Sequence, residues 1–186
     1  LCSAEVTRLF CFSTLQGIRI AAALQNLTSM ERAEPVTKER GRSLRGAVLI
    51  GIGIMAAVDE IIFHQVLSWH HFYDRSTPEI GLLTDGLLHA AELIVIVAGF
   101  FILLDLNRSG ALDKQKAIAG FFLGAGGFQL FDGLVDHKAL QLHQIRYNVP
   151  DILPYDLAWN IGAVLLILVG IVLNKKANNR YEGSTP

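Results

Sequence analysis

Cysteine is all but missing from this chain. The only two, Cys2 and Cys11, lie near its N-terminus, so the body can build neither a disulfide framework nor a thiolate metal cage. Methionine is equally scarce, with two in all, which leaves thioether copper(I) chemistry without its usual ligands. An excess of charge of one sign is also lacking: 16 Lys and Arg face 17 Asp and Glu, for a formal net charge of -1. The basic residues are not interleaved with aromatics, so the chain has no footprint for nucleic acid. What it has instead is apolar length. Of its 186 residues 52% are hydrophobic, and the mean hydropathy of +0.40 favours the membrane over a soluble domain.

Four apolar stretches are long enough to cross a bilayer at about 1.5 Å of rise per residue. They run from Gly46 to about Trp69, Leu82 to Leu104, Ala117 to Leu142 and Tyr155 to Leu173. Polar segments rich in Pro, Asp, Arg and Ser separate them. The predicted fold is all-α: an integral membrane four-helix bundle made of two tandem two-helix repeats, residues 46–105 and 117–174. Residues 1–45 are expected to form a flexible cytoplasmic segment, and residues 175–186 a basic tail. Met30 opens the charged run Glu31 to Pro35 and is read as the natural start, with residues 1–29 a non-native upstream extension. The competing reading, an export signal, is disfavoured by Arg19 inside the short run Ile18 to Leu24. Arg32 to Arg45, Arg108 to Lys116 and Lys175 to Arg180 carry most of the basic residues. By the positive-inside rule both termini are cytoplasmic and the chain is a multi-pass protein of the inner (plasma) membrane. Trp69, Tyr73, Tyr147, Tyr155 and Trp159 read as interfacial anchors at the outer face.

The polar residues inside these spans recur in register. Asp59, His64 and His70 read D-x4-H-x5-H, and so do Asp132, His137 and His143, 73 positions later. Gly51 and Gly53 match Gly124 and Gly126 at the same offset. Asp85 and His89 in the second span match Asp156 and Asn160 in the fourth, 71 positions later. Ionisable groups within a span are costly, and in matched positions they indicate a shared polar site. All of them fall in the layer nearest the exterior, where a bundle core can hold a metal or cofactor.

Helical spacing limits what the site can be. Asp59 and His70 point the same way to within about 20 degrees, whereas His64 faces about 140 degrees away from Asp59 and shares its stripe with Glu60 and His71. One ion therefore cannot collect all three repeat residues unless the helix carries a bulge or ends early. The most economical centre takes His64, His89 and His137, with Asp85, Asp59, Asp132 or Asp136 as ligands or orienting partners. His70 and His143 are further candidate ligands. Glu60, Asp136, Asp156 and Asn160 are candidates for the surrounding hydrogen-bond shell. Imidazole with carboxylate suits Cu(II), Zn(II), Fe or Mn.

The stretches Asp59 to His71, Thr84 to His89 and Phe131 to Arg146 resemble an uncharacterised family of small bacterial four-span membrane proteins classed as a domain of unknown function. That resemblance implies the topology and no established activity. The company such genes keep near cytochrome oxidase assembly factors implies copper or respiratory metal handling, with respiratory-complex or other membrane subunits as partners beside the lipid bilayer. The pair Asp85 and His89 is also similar to part of the Asp/His/His copper site in the membrane subunit of copper monooxygenases, whose second His is not reproduced. The functional expectation is a metal-binding membrane protein, copper favoured with zinc or iron as alternatives, acting in metal handling or as a small oxidoreductase. A zinc-dependent membrane hydrolase and a b-type haem protein are the competing readings. A proton or cation route is disfavoured by the dry cytoplasmic halves of the spans.

Overall fold

The helix starts and stops are written in local chemistry. Pro78 stands at the first turn of α2 (Pro78–Arg108), where its missing N–H is no loss, and Gly110, at φ 69°, lies just past that helix's end. Asp113 caps α3 (Lys114–Phe131), accepting from the Gln115 and Lys116 N–H groups at 3.0 Å each. Pro154 sits in the first turn of α4 (Leu153–Glu182). With α1, which is α-helical over residues 36–59, these make four helices of membrane-spanning length. This computed structural model describes residues 36–183, and among them there is no strand. The expected all-α, four-span architecture is the one the chain forms. Cys2, Cys11, Met30 and the readings placed on residues 1–35 lie outside the described residues.

The helices overrun their apolar stretches at the end remote from the candidate site. Residues 36–45 are helical, and α4 continues through Lys175 and Lys176 to Glu182. Polar bonds between helices hold these extensions. Arg40 pairs with Asp113 at 2.9 Å, donates to the Ala177 carbonyl at 2.9 Å and lies over the Tyr181 ring. Lys116 donates to Asn174 at 2.6 Å.

Packing is that of a membrane bundle, with small residues inside and large ones outside. Ala47, Ala56, Ala119, Ala125 and Ala163 are buried, whereas Leu82, Leu83, Ile94, Phe101 and Val172 are exposed to what would be lipid. Gly51 and Gly124 let α1 and α3 touch. A Cβ on Gly51 would run into the Phe121 carbonyl, and one on Gly124 into the Val48 carbonyl. The four spans have mean hydropathies of 2.0, 2.5, 1.4 and 2.2, yet the buried set includes eleven Asp, Glu and His side chains. Apolar outside and ionisable inside is the arrangement a bilayer imposes on a bundle that carries a polar site.

At the site end, neither α1 nor α3 finishes as an α-helix. Glu60–Val66 and Asp132–Ala139 are π-helical. The wider ladder closes with Leu67 N–H donating to Ile62 O at 2.8 Å and Leu140 N–H donating to Val135 O at 2.7 Å. Both chains then turn sharply through left-handed residues, Ser68 at φ 49° and Gln141 at φ 51°. Non-glycine residues in that region store strain of about 1–3 kcal/mol and cluster at functional sites. The two turns lead into loops that clasp each other, with Asp74 N–H donating to Leu142 O at 3.1 Å.

Candidate metal centre

The π-helical turns resolve the spacing problem. An i→i+5 ladder brings residues five apart onto one face, so Asp59 and His64 both turn inward, as do Asp132 and His137. His64 Nε2 lies 3.5 Å from Asp59 Oδ2, and His137 Nε2 lies 3.3 Å from Asp132 Oδ2. His70 and His143 lie past the helix ends, and the left-handed turns fold them back over the same space. Bulge and early ending are both used.

Four buried imidazoles result: His64, His70, His137 and His143. The His70 and His143 rings stack at 4.5 Å and 13°. His64 meets His70 edge-on at 4.6 Å, and His137 meets His143 edge-on at 4.6 Å. Main-chain carbonyls orient the two loop histidines reciprocally. His70 Nδ1 donates to Ile145 O and His143 Nδ1 donates to Phe72 O, each at 2.9 Å. Those bonds fix the proton on Nδ1 and turn each Nε2 into the cluster as a lone-pair donor. Burial, reinforced by the neighbouring imidazoles, holds the His70 pKa down to about 2, and burial likewise lowers that of His143. Both rings are therefore neutral at pH 7, the form that binds a metal.

Carboxylates surround the rings. His64 Nδ1 lies 2.7 Å from Glu60 Oε2 and 3.2 Å from Asp85 Oδ1, in both cases off the hydrogen-bonding direction. Asp85, fully buried, accepts from the Phe72 N–H at 2.7 Å and from His71 Nδ1 at 2.6 Å. Three groups bring donor atoms within 4.8 Å of one another: His64, His70 and His143; Asp132, His137 and His143; and Glu60, His64 and Asp85. His143 belongs to two of them and His64 to two. Buried ring and carboxylate atoms here go without a hydrogen-bond partner, namely both His64 nitrogens, His70 Nε2, His137 Nδ1, Glu60 Oε2 and Asp132 Oδ2. Such orphaned groups are rare in a folded interior, where an ion or an ordered water commonly meets them. Imidazole nitrogens with carboxylate oxygens are a donor set for a borderline transition metal.

Other predicted residues sit elsewhere. His89, taken from the sequence as a third-helix ligand, belongs to none of the three groups; its side chain is 49% exposed, and its Nδ1 lies 2.5 Å from Glu92 Oε1. Asp136 is buried beside the cluster, with its backbone carbonyl accepting from Leu142 N–H at 2.9 Å. Asp156 pairs with Lys138, and Asn160 donates back to the Asp156 carbonyl at 2.8 Å. Trp159, read as an interfacial anchor, is buried and packs edge-on against Phe63 at 5.4 Å. Trp69 and Tyr155 do form an aromatic wall, capped by the Arg146 guanidinium 4.4 Å from the Trp69 ring.

Three contributors were missed from the sequence. His71 orients Asp85, and its place on the Glu60 and His64 stripe was the available signal. The carbonyls of Phe72 and Ile145 carry no side-chain signature, although they stand at the same 73-residue offset as the histidines they orient.

A family model described as Predicted membrane protein (DUF2243) matches residues 46–177. No curated protein and no solved structure matches.

Proposed function

The chain belongs to the DUF2243 family of predicted membrane proteins, and on that premise we propose that it is a membrane metalloprotein whose histidine cluster holds a transition metal. The observation that carries this reading is the paired orientation of His70 and His143. Each gives its Nδ1 proton to a carbonyl of the opposite loop and keeps a buried Nε2 for the interior. His64 completes a three-imidazole face, with Asp132 and His137 adjoining it through His143. Copper(II) is favoured by the nitrogen-rich donor set and by its place at the top of the divalent affinity order, with zinc or iron as the alternatives. Haem is served less well, because rings 4.5 and 4.6 Å apart leave no slot for a macrocycle.

In this reading the two halves are copies of one helical hairpin and build the centre jointly. The basic end, with Arg42, Arg45, Lys175 and Lys176, faces the cytoplasm of a plasma-membrane protein, and the clasped loops face outward. The role is metal handling for a respiratory enzyme or a small membrane oxidoreductase. Elemental analysis of the detergent-purified protein tests it. A transition metal near one equivalent per chain or above is expected in the wild type and in His89→Ala, and loss of it in His70→Ala and His143→Ala. No metal in the wild type, even after incubation with copper, zinc or iron salts, would sink the proposal.

A further inference from the structure

Beside the cluster, the π-helical end of α1 and the start of α2 part to leave a cavity of about 240 Å³ lined by Glu60, Ile61, Gln65, Leu82, Gly86 and His89. Its walls are apolar and its floor is polar. Glu60 Oε1 accepts from Gln65 Nε2 at 2.8 Å while the other carboxylate oxygen faces His64. His89 borders the cavity with its half-exposed ring, whose Nδ1 lies 2.5 Å from the buried Glu92 carboxylate but off the hydrogen-bonding direction. His89 follows Pro78 by eleven residues, so it lies about 16 Å down α2, below the headgroup layer. A half-exposed imidazole facing lipid at that depth lacks water to satisfy it and is costly unless a ligand meets it.

We propose that this cleft binds the head ring of a lipid-soluble quinone or quinol that enters from the bilayer. The chemistry of the walls narrows the occupant. A phospholipid headgroup would bring a phosphate to the Glu60 carboxylate, below the layer where phosphates are solvated, and like charge opposes that. A free cation would have to cross an apolar mouth. A neutral ring with oxygen at its edge fits the volume, meets His89 and Glu60 by hydrogen bonds and leaves its tail in lipid. It would then be separated from His64 by one carboxylate. This extends the metal-centre reading and rests on it for its purpose, but the binding can be read out without metal.

Photo-cross-linking of the full chain in phosphatidylglycerol and phosphatidylethanolamine vesicles, using an azido-substituted decylquinone, tests the assignment. Label is expected on peptides covering residues 60–65 and 82–89, and excess decylubiquinone should compete it away. A Cβ at Gly86 meets nothing within 4 Å, so Gly86→Leu fills the cleft without moving the backbone. It should cut the competed label at least about tenfold while metal per chain stays unchanged. His89→Phe keeps the ring volume, removes the hydrogen bond and should weaken labelling by about tenfold. Label scattered over the lipid-facing helices, label unaffected by Gly86→Leu, or competition by extra phosphatidylglycerol equal to that by decylubiquinone would overturn the proposal. Competed labelling in a protein that binds no metal would support the cleft and defeat the metal centre; bound metal without competed labelling would defeat the cleft alone.

Discussion

His64 in the first half and His137 in the second stand at the same turn of matching π-helical ends, yet they keep different company. His64 has Glu60 at 2.7 Å and Asp85 at 3.2 Å, and Asp85 is in turn held by His71. In the second half Gly133 stands in the place of Glu60, Gln144 in that of His71, Lys138 in that of Gln65 and Asn160 in that of His89. Asp156 is neutralised by Lys138, and Asn160 and Trp159 fill the space beside Gly133. The shared frame therefore supplies the donors, while the differences decide charge and access. The first half carries the acidic pair Glu60 and Asp85 against its ring and a cleft beside them. The second half is filled beside Gly133, where the first half has the cleft bordered by Glu60 and His89.

The most severe way to break this comparison is to remove a donor that both halves use. His143→Ala takes a candidate donor from two groups at once, and on the metal-centre reading metal affinity should fall by more than about 100-fold, beyond the loss typical of an outer-shell change. Competition against a chelator of known affinity measures it. Unchanged affinity would mean that the halves do not share a centre. Asp85→Asn and Asp156→Asn then separate the halves. The first removes the charge that orients His71 beside His64 and should cost about 10–100-fold in metal affinity. The second breaks an ion pair whose Lys138 side chain is 42% exposed, so its effect on affinity should stay within about threefold. Equal losses in the two variants would erase the distinction drawn between them.

Much of the fold was legible because a bilayer demands long apolar runs, and nothing else in the chain competes with them. The inward gathering of Asp59, His64 and His70 was legible only as a condition. On a regular helix the spacing forbade it, and the exceptions were a bulge or an early end. Which exception applies depends on main-chain bonds such as Trp69 N–H to Phe63 O, which no side chain announces. His89 misled for a related reason. On an ideal helix it shares a face with Asp85, but it lies one turn farther from the clasped loops. There α2 has left the cluster, so Asp85 is fully buried and His89 is half exposed. Trp159 looked like an anchor from its neighbours in sequence and is buried because Gly133 leaves it room.

Acidification probes the frame as a whole. His70 and His143 have folded pKa values below the ordinary value near 6.5, so below that pH the unfolded chain binds more protons than the folded one. The contribution of these two rings is therefore complete above about pH 6.5 and falls as pH drops from there, by up to about 1.4 kcal/mol per pH unit for each ring. Denaturant unfolding of the metal-free protein in detergent at pH 7 and pH 5 should show this, and His70→Asn should shallow the slope. An unchanged slope would mean that His70 titrates freely.

The finest test compares two glycines, one in each half. A Cβ at Gly133 would lie 2.6 Å from Asn160 Oδ1 and 2.8 Å from Trp159 Cδ1, so Gly133→Ala forces packed neighbours aside and should destabilise by about 1–3 kcal/mol. At Gly86 the added methyl meets nothing within 4 Å, on a helix where glycine only loosens the backbone. Gly86→Ala should therefore stabilise by up to about 1 kcal/mol. Opposite signs in the two unfolding free energies would mark the first half as the open side and the second as the filled one. Should Gly86→Ala prove as destabilising as Gly133→Ala, the space beside α2 is occupied by protein after all, and the asymmetry between the halves has to be sought in charge alone.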